Sequence, residues 1–312
     1  MGSGVETKEV GKEVQQKNLS KISTHFTGTP VHSGLLNAPG PVWSTKNDLL
    51  AGFLYDAAMN FLNIGSTRLE LRQIAGYPDS SPLIFLHEGL GSVSLWTQRG
   101  IDWPQQVCAA TGRAGVVYSR RGYGQSAPAQ GDLPADYMHR EAWEVLPALL
   151  DALQIKKPVL LGHSDGATIA LLYASRHPVS ACIALAPHVL VEQVAVTAIA
   201  AAKTAFESGG LRDRLARHHA DVDGAFRQWN DVWLSDAFRR FDIREDCRRI
   251  TAPLLLIQGL DDEYGTLRQL DEIALAAPHA VQQHLASCGH SPQRDQPEKT
   301  LEAIASFLNQ AN

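Results

Sequence analysis

Pro158-Val159-Leu160-Leu161-Gly162-His163-Ser164-Asp165-Gly166-Ala167-Thr168-Ile169-Ala170-Leu171-Leu172 decides the fold. An apolar run of strand length leads into a glycine-flanked serine, and a helix-forming apolar run leads out. The pattern G-x-S-x-G is common by chance, but strand before and helix after are the context in which it makes an exposed nucleophile. The glycines have a steric purpose: side chains there would collide with the adjoining strand and helix. This spacing predicts Ser164 at the carboxyl edge of a sheet, where the Asp165 backbone N–H and the positive end of the helix can stabilise an oxyanion.

Similar apolar runs recur on both sides, at 83–86, 115–118, 182–185 and 254–257. Runs apolar on both faces suit the buried strands of a parallel sheet covered by helices. Between 67 and 74 the pattern alternates instead, Leu69, Leu71 and Ile74 against Arg68, Glu70 and Arg72, which predicts an edge strand with one polar face. Helical spacing joins Ala142, Leu146, Leu149, Leu150 and Leu153, with Pro147 implying a kink or boundary. A terminal helix is expected through Leu301, Ile304, Ala305 and Leu308, opened by Pro297 and Glu298. The expected fold class is α/β, a doubly wound, mostly parallel sheet. The alternation breaks over 188–249, which carries helical periodicity only and is read as an inserted helical cap. The catalytic domain is then discontinuous, 48–187 and 250–312, with 1–47 as a polar extension expected to be partly disordered.

A serine hydroxyl is a weak nucleophile and needs a base that is itself oriented by an acid. Cys288-Gly289-His290-Ser291-Pro292 puts a histidine in a turn before the terminal helix, and His290 is the expected base. The run after 254–257, Gln258-Gly259-Leu260-Asp261-Asp262-Glu263-Tyr264, offers three adjacent carboxylates for the acid, and the order Ser, acid, His is the one the elbow motif expects.

With these stretches together the chain resembles the α/β-hydrolase fold superfamily, specifically serine hydrolases with a helical cap. Leu86-His87-Glu88-Gly89-Leu90-Gly91 looks like that family's oxyanion loop, and Arg120-Arg121-Gly122-Tyr123-Gly124-Gln125-Ser126 resembles its R-G-x-G-x-S turn. The resemblance implies a catalytic set of Ser164, Asp262 and His290. Asp262 is chosen over Asp261 because it stands three residues after Gly259, at the family's G-x-x-D position. It further implies an oxyanion hole from the amides of Gly89 and Asp165. Two departures stand out. Glu88 replaces the usual glycine, and a carboxylate beside an oxyanion must point away, be paired or be protonated. Ser119 replaces the frequent aspartate before the turn.

Candidate pocket residues are Glu88, His188, Trp229, Trp233 and Tyr264. Phe226, Trp229 and Trp233 share one face of a predicted helix, a pattern that packing also explains, and His163 and His188 at strand ends are read first as structural.

The rest of the chain narrows the classes. Its 312 residues, 44% hydrophobic and 20% charged, suffice for a large core. A net charge of -5 and the lack of a long Lys/Arg run argue against a nucleic-acid partner. Cys108, Cys182, Cys247 and Cys288 form no CxxC pair, so no metal site is expected and free thiols in a reducing compartment are. The stretch 49–62 contains Asp56 and is read as an amphipathic helix rather than a membrane span. A polar start without an apolar signal core leads to a cytoplasmic expectation. The expected function is hydrolysis, without cofactor, of an ester, thioester or related acyl bond in a small or medium apolar substrate. Hydrolysis of an activated carbon–carbon bond, as in a diketone-type aromatic breakdown product, is the alternative within the fold, and a non-catalytic small-molecule receptor the alternative outside it.

Overall fold

The computed structural model describes residues 61–310. The amino-terminal extension, and the helix expected over 49–62 except its last two residues, lie outside them. Phe61 and Leu62 are strand, not helix: β1 (Phe61–Ile64) pairs antiparallel with β2 (Thr67–Ile74). This also corrects the reading of β2 as an edge, since β2 lies between β1 and β6 (Gly115–Tyr118). Its polar face is occupied, with the Arg68 guanidinium 3.8 Å from the centre of the Phe61 ring.

β3 (Leu83–Leu86), β6, β7 (Val159–His163), β8 (Ala181–Leu185), β9 (Leu254–Gly259) and β10 (Val281–Leu285) are parallel. The short strands β4 (Thr97–Gln98) and β5 (Ile101–Asp102) form a separate hairpin. The large sheet has eight strands in the order β1-β2-β6-β3-β7-β8-β9-β10. Because successive strand side chains point to opposite faces, the apolar runs build two cores. Ile84, Leu86, Leu160, Ala184 and Leu256 face one; Leu83, Phe85, Leu161, Ile183, Leu185 and Ile257 face the other. Helix α1 (Trp103–Thr111) and the terminal helix Pro297–Gln310 cover the second face, while Asp165–Ala174 covers the first.

Pro147 marks a boundary. A π-helical turn, Glu141–Val145, runs without a break into the helix Leu146–Ala152, so Pro147 falls just where the helical hydrogen-bond pattern changes. Between β8 and β9 the chain contains helices Gln193–Glu207, Gly210–Leu215 and Val222–Leu234 and no member of the large sheet. After β3 the chain moves to β6 on one side of it and then to β7 on the other. The crevice at the carboxyl ends of β3 and β7 is therefore the topological switch point, the usual ligand position in such sheets. Among the described residues no helix is long and apolar enough to cross a membrane.

Candidate active site

Ser164 occupies the sharp turn between β7 and the helix Asp165–Ala174 with φ 54° and ψ -119°, a strained combination for a residue with a side chain. The turn is possible because its neighbours are bare. A Cβ on Gly162 would fall 2.2 Å from the Gly166 carbonyl oxygen, and one on Gly166 would fall 2.0 Å from that of Leu86. The Ser164 N–H donates to the Leu185 carbonyl at 2.9 Å, fixing the turn to β8. Asp165 opens the helix, so its N–H has no intrahelical acceptor.

His290 Nε2 lies 2.9 Å from Ser164 Oγ, and His290 Nδ1 lies 2.9 and 3.0 Å from the two oxygens of Asp262. Asp262 also accepts the N–H groups of Tyr264 at 2.8 Å and Gly265 at 3.2 Å and the Gln258 amide at 3.2 Å. Its side chain is 1% exposed. Burial would raise the Asp262 carboxyl, but His290 and these donors outweigh it and hold it below the ordinary carboxylate range. Burial likewise opposes charge on His290, yet the Asp262 carboxylate prevails and raises the imidazole above its usual value. The neighbouring carboxylates stand elsewhere. Asp261 is exposed, whereas Glu263 accepts the backbone N–H of His290 at 3.3 Å. A Cβ on Gly259 would fall 2.1 Å from the Cys288 carbonyl oxygen, so the loops that carry Asp262 and His290 touch through a glycine.

The loop of Gly89 is held by Arg120, a residue whose role sequence reading missed. Its guanidinium donates to the carbonyls of His87 and Glu88, the latter at 3.0 Å, and is buried against Asp165 at 4.0 Å. The Arg120 N–H donates to His87 Nε2 at 3.0 Å, which leaves His87 Nδ1 to donate to the Glu88 carbonyl at 2.7 Å. Burial and Arg120 keep this imidazole neutral, well below the usual histidine range. Two adjacent arginines directly after a buried strand were the available signal. Ser119 acquires a reason too: its hydroxyl donates to Glu70 at 2.6 Å and accepts the Val93 N–H at 2.9 Å, while Glu70 accepts the Gln125 N–H at 2.9 Å.

The expected pocket residues separate. Glu88 turns its carboxylate to His163 Nδ1, 3.5 Å away. The Tyr264 and His290 ring centres lie 4.7 Å apart. His188 lies 5.5 Å from the His290 ring and 5.0 Å from Trp233, and its Nδ1 has no hydrogen-bond partner among the described residues. Burial, aided by His290, pushes it down to about 3. Trp229 lies against the Gly89 loop, since a Cβ on Gly89 would fall 2.1 Å from its Nε1. Trp233 packs on Phe238, and its indole N–H donates to Tyr137 Oη at 3.1 Å, which donates in turn to Asp165 at 2.5 Å. Sequence reading also missed His219, between the helices Gly210–Leu215 and Val222–Leu234. It accepts the Gly124 N–H and donates to the Leu90 carbonyl, both at 3.0 Å, so it joins that segment to the Gly89 loop. A cleft of about 230 Å³ lined by Glu88, Trp96, Arg99, Ser291, Gln293 and Arg294, among others, opens beside these loops rather than over Ser164. Among the described residues no cluster of three or more His, Cys, Asp or Glu side chains could hold a metal ion. The four cysteines are buried and unpaired.

Known proteins share this fold. A model of the alpha/beta hydrolase family matches residues 83–303. A protein of Pseudomonas savastanoi pv. phaseolicola named "Putative carbamate hydrolase RutD" is 29% identical over 259 residues, 73% of this chain and 94% of that protein. The 3-oxoadipate enol-lactonase 1 of Acinetobacter baylyi is 27% identical over 259 residues, 76% of this chain and 91% of the relative. Among solved structures, a carboxylesterase study of Nitrososphaera gargenis supplies one with TM-score 0.64 at 20% identity, covering 80% of this chain and 98% of that one. The match over 83–303 spans well over half the chain, which is therefore a hydrolase belonging to the alpha/beta hydrolase family.

Proposed function

We propose that this chain hydrolyses an ester, thioester or related acyl bond of a small or medium apolar substrate through an acyl-serine intermediate. The observation that carries the reading is the continuous chain from Ser164 Oγ through His290 to Asp262, with both links at 2.9 Å. His290 Nε2 takes the Ser164 proton as Oγ attacks the carbonyl carbon, and Asp262 stabilises the imidazolium that forms. The amides of Gly89 and Asp165 receive the oxyanion. Collapse of the tetrahedral intermediate expels the leaving group, which His290 protonates, and a water activated by the same base then releases the acid. Of the described residues, 61–187 and 250–310 form the catalytic part, and 188–249 forms a cap whose Trp229 borders the oxyanion loop and bears on substrate choice.

The named activities of the relatives, carbamate hydrolase and enol-lactonase, both act on a carbonyl carbon bonded to a heteroatom, which favours acyl hydrolysis over carbon–carbon cleavage. A receptor without turnover has no use for a base oriented toward a serine. The test is turnover of short p-nitrophenyl esters by the wild type and by Ser164→Ala. Turnover lost in the variant supports the reading; equal turnover in both refutes it.

A further inference from the structure

The base and the nucleophile elbow are joined a second time, behind the Ser164–His290 contact. His163, the residue between Gly162 and Ser164, is 1% exposed, and its Nε2 lies 2.7 Å from the backbone carbonyl of His290. A carbonyl only accepts, so Nε2 carries a proton and donates. The other ring nitrogen, Nδ1, faces the Gln293 side-chain amide at 3.0 Å and the Glu88 carboxylate at 3.5 Å. Glu88 reaches it by folding back over its own loop, where a Cβ on Gly91 would fall 2.6 Å from Oε2. One imidazole thus ties together three loops: the elbow, the loop of Gly89 and the turn that carries His290.

We propose that His163 is a positioning residue for His290, gripping the backbone of the base from the elbow and set in its own orientation by Glu88 and Gln293. The proposal rests on the reading of Ser164 as nucleophile. Polar holds on the backbone around the base include the His290 carbonyl on His163, the His290 N–H on Glu263, the Gly289 N–H on Asp295 at 3.0 Å and the Cys288 carbonyl on the Asp261 N–H at 2.9 Å. Only the first comes from the element that carries the nucleophile, so only it fixes base against serine directly. Loss of that donor leaves a buried carbonyl unsatisfied, and the loop relaxes toward another partner. A displacement of about 1 Å between reacting groups costs about 10²-fold in rate. Glu88 gains a purpose by the same geometry. Burial alone would raise its carboxyl, but the His163 contact outweighs burial and holds it at about 2.

The experiment measures kcat and KM on p-nitrophenyl acetate, and the rate at which a fluorophosphonate labels Ser164, for wild type, His163→Leu, His163→Gln and Glu88→Gln, each with a melting curve. His163→Leu should lower kcat and the labelling rate by about 10²-fold with KM nearly unchanged. His163→Gln, which returns an N–H to the carbonyl, should recover most of that loss, and Glu88→Gln should lower kcat by a smaller factor at an unchanged melting temperature. Wild-type labelling in folded His163→Leu overturns the proposal, and so does equal loss in the Leu and Gln variants, which is the signature of packing alone. If His163→Leu does not fold, Glu88→Gln decides: a fall in kcat at constant KM supports the proposal, and no fall overturns it. A wild type that is neither labelled nor active removes the serine-nucleophile reading itself, an outcome distinct from a reactive wild type whose variants match it.

Discussion

Seen from Ser164, the sheet side and the helical side of the molecule are built from different interactions. On the sheet side the acid and the base are held by hydrogen bonds: Asp262 has four donors within 3.2 Å, and His290 is held at its ring and at both backbone groups. Asp165 Oδ1, Gln258 Oε1 and Gln293 Oε1 beside them have no partner among the described residues. On the helical side the contacts are largely aromatic, His188 on Trp233 at 5.0 Å, Trp233 on Phe238 at 4.7 Å and Phe226 on Trp229 at 6.0 Å. Several polar atoms there are buried with no partner among the described residues, among them His188 Nδ1, Asn230 Oδ1 and both ends of the Gln228 amide. A network of hydrogen bonds fixes angles, which proton transfer needs. Rings packed on one another fix position without fixing hydrogen-bond angles, and each unpaired buried group costs about 1–3 kcal/mol.

The sharpest way to break this contrast is at Asp262. Asp262→Asn should lower kcat by about 10⁴-fold, because an amide favours the wrong tautomer of His290 and cannot stabilise the imidazolium. Asp261→Asn, at an exposed side chain, should leave kcat near wild type. Steady-state kinetics of the two variants checks the ranking, and a reversed order would move the acid by one residue.

Next in size is Trp233. Its ring is 1% exposed and its N–H is engaged, so Trp233→Ala should cost about 3–5 kcal/mol by chemical denaturation and lower activity on all substrates alike. Trp229→Ala opens space beside Gly89 and should change the ratio of kcat/KM between a short and a bulky ester. An unchanged ratio would return Trp229 to a packing role.

The pH profile follows from the sheet side. His290 must be neutral to accept the Ser164 proton, and its pKa is raised in the folded protein, so kcat/KM should fall as pH drops through a value above the ordinary ~6.5 of histidine. Removing the carboxylate in Asp262→Asn should move this acid limb of the residual activity to lower pH. A limb that stays in place would mean that another group titrates. The smallest effect is expected at Gln228. Gln228→Leu replaces an unpaired buried amide by an apolar side chain of similar size and should raise stability by about 1 kcal/mol, measured by denaturant melts. A loss of stability would show that the amide has a partner in solution.

The elbow was legible because its requirements are local: two glycines, a strand before and a helix after all fall within 158–172. Five of the parallel strands were legible for the same reason, as runs apolar on both faces, whereas β10, with Gln282, Gln283 and His284 in its middle, carries no such run. The identity of β2's neighbours was not, because alternation reports that one face is polar and says nothing about which strands lie beside it. Glu70 and Ser119 are 49 residues apart in sequence, so nothing local could tie them. The clamp of Arg120 on His87 and Glu88 and the bridge from His219 to Leu90 are equally nonlocal. Trp229 and Trp233 carry the same periodic signal on one helix face, and only their neighbours, Gly89 for one and Tyr137 for the other, tell them apart. Glu88 was recognisable as an anomaly from its position in the loop, whereas its direction toward His163 is a tertiary fact.

The claim on which the rest depends is that Ser164 is the nucleophile, and the most direct measurement is covalent. The purified protein is treated with a fluorophosphonate and digested, and the modified peptide is located by mass spectrometry. A single adduct on Ser164, abolished in Ser164→Ala and slowed by orders of magnitude in His290→Ala, is the expected result. An adduct at another residue, or labelling of Ser164→Ala at the wild-type rate, would contradict it.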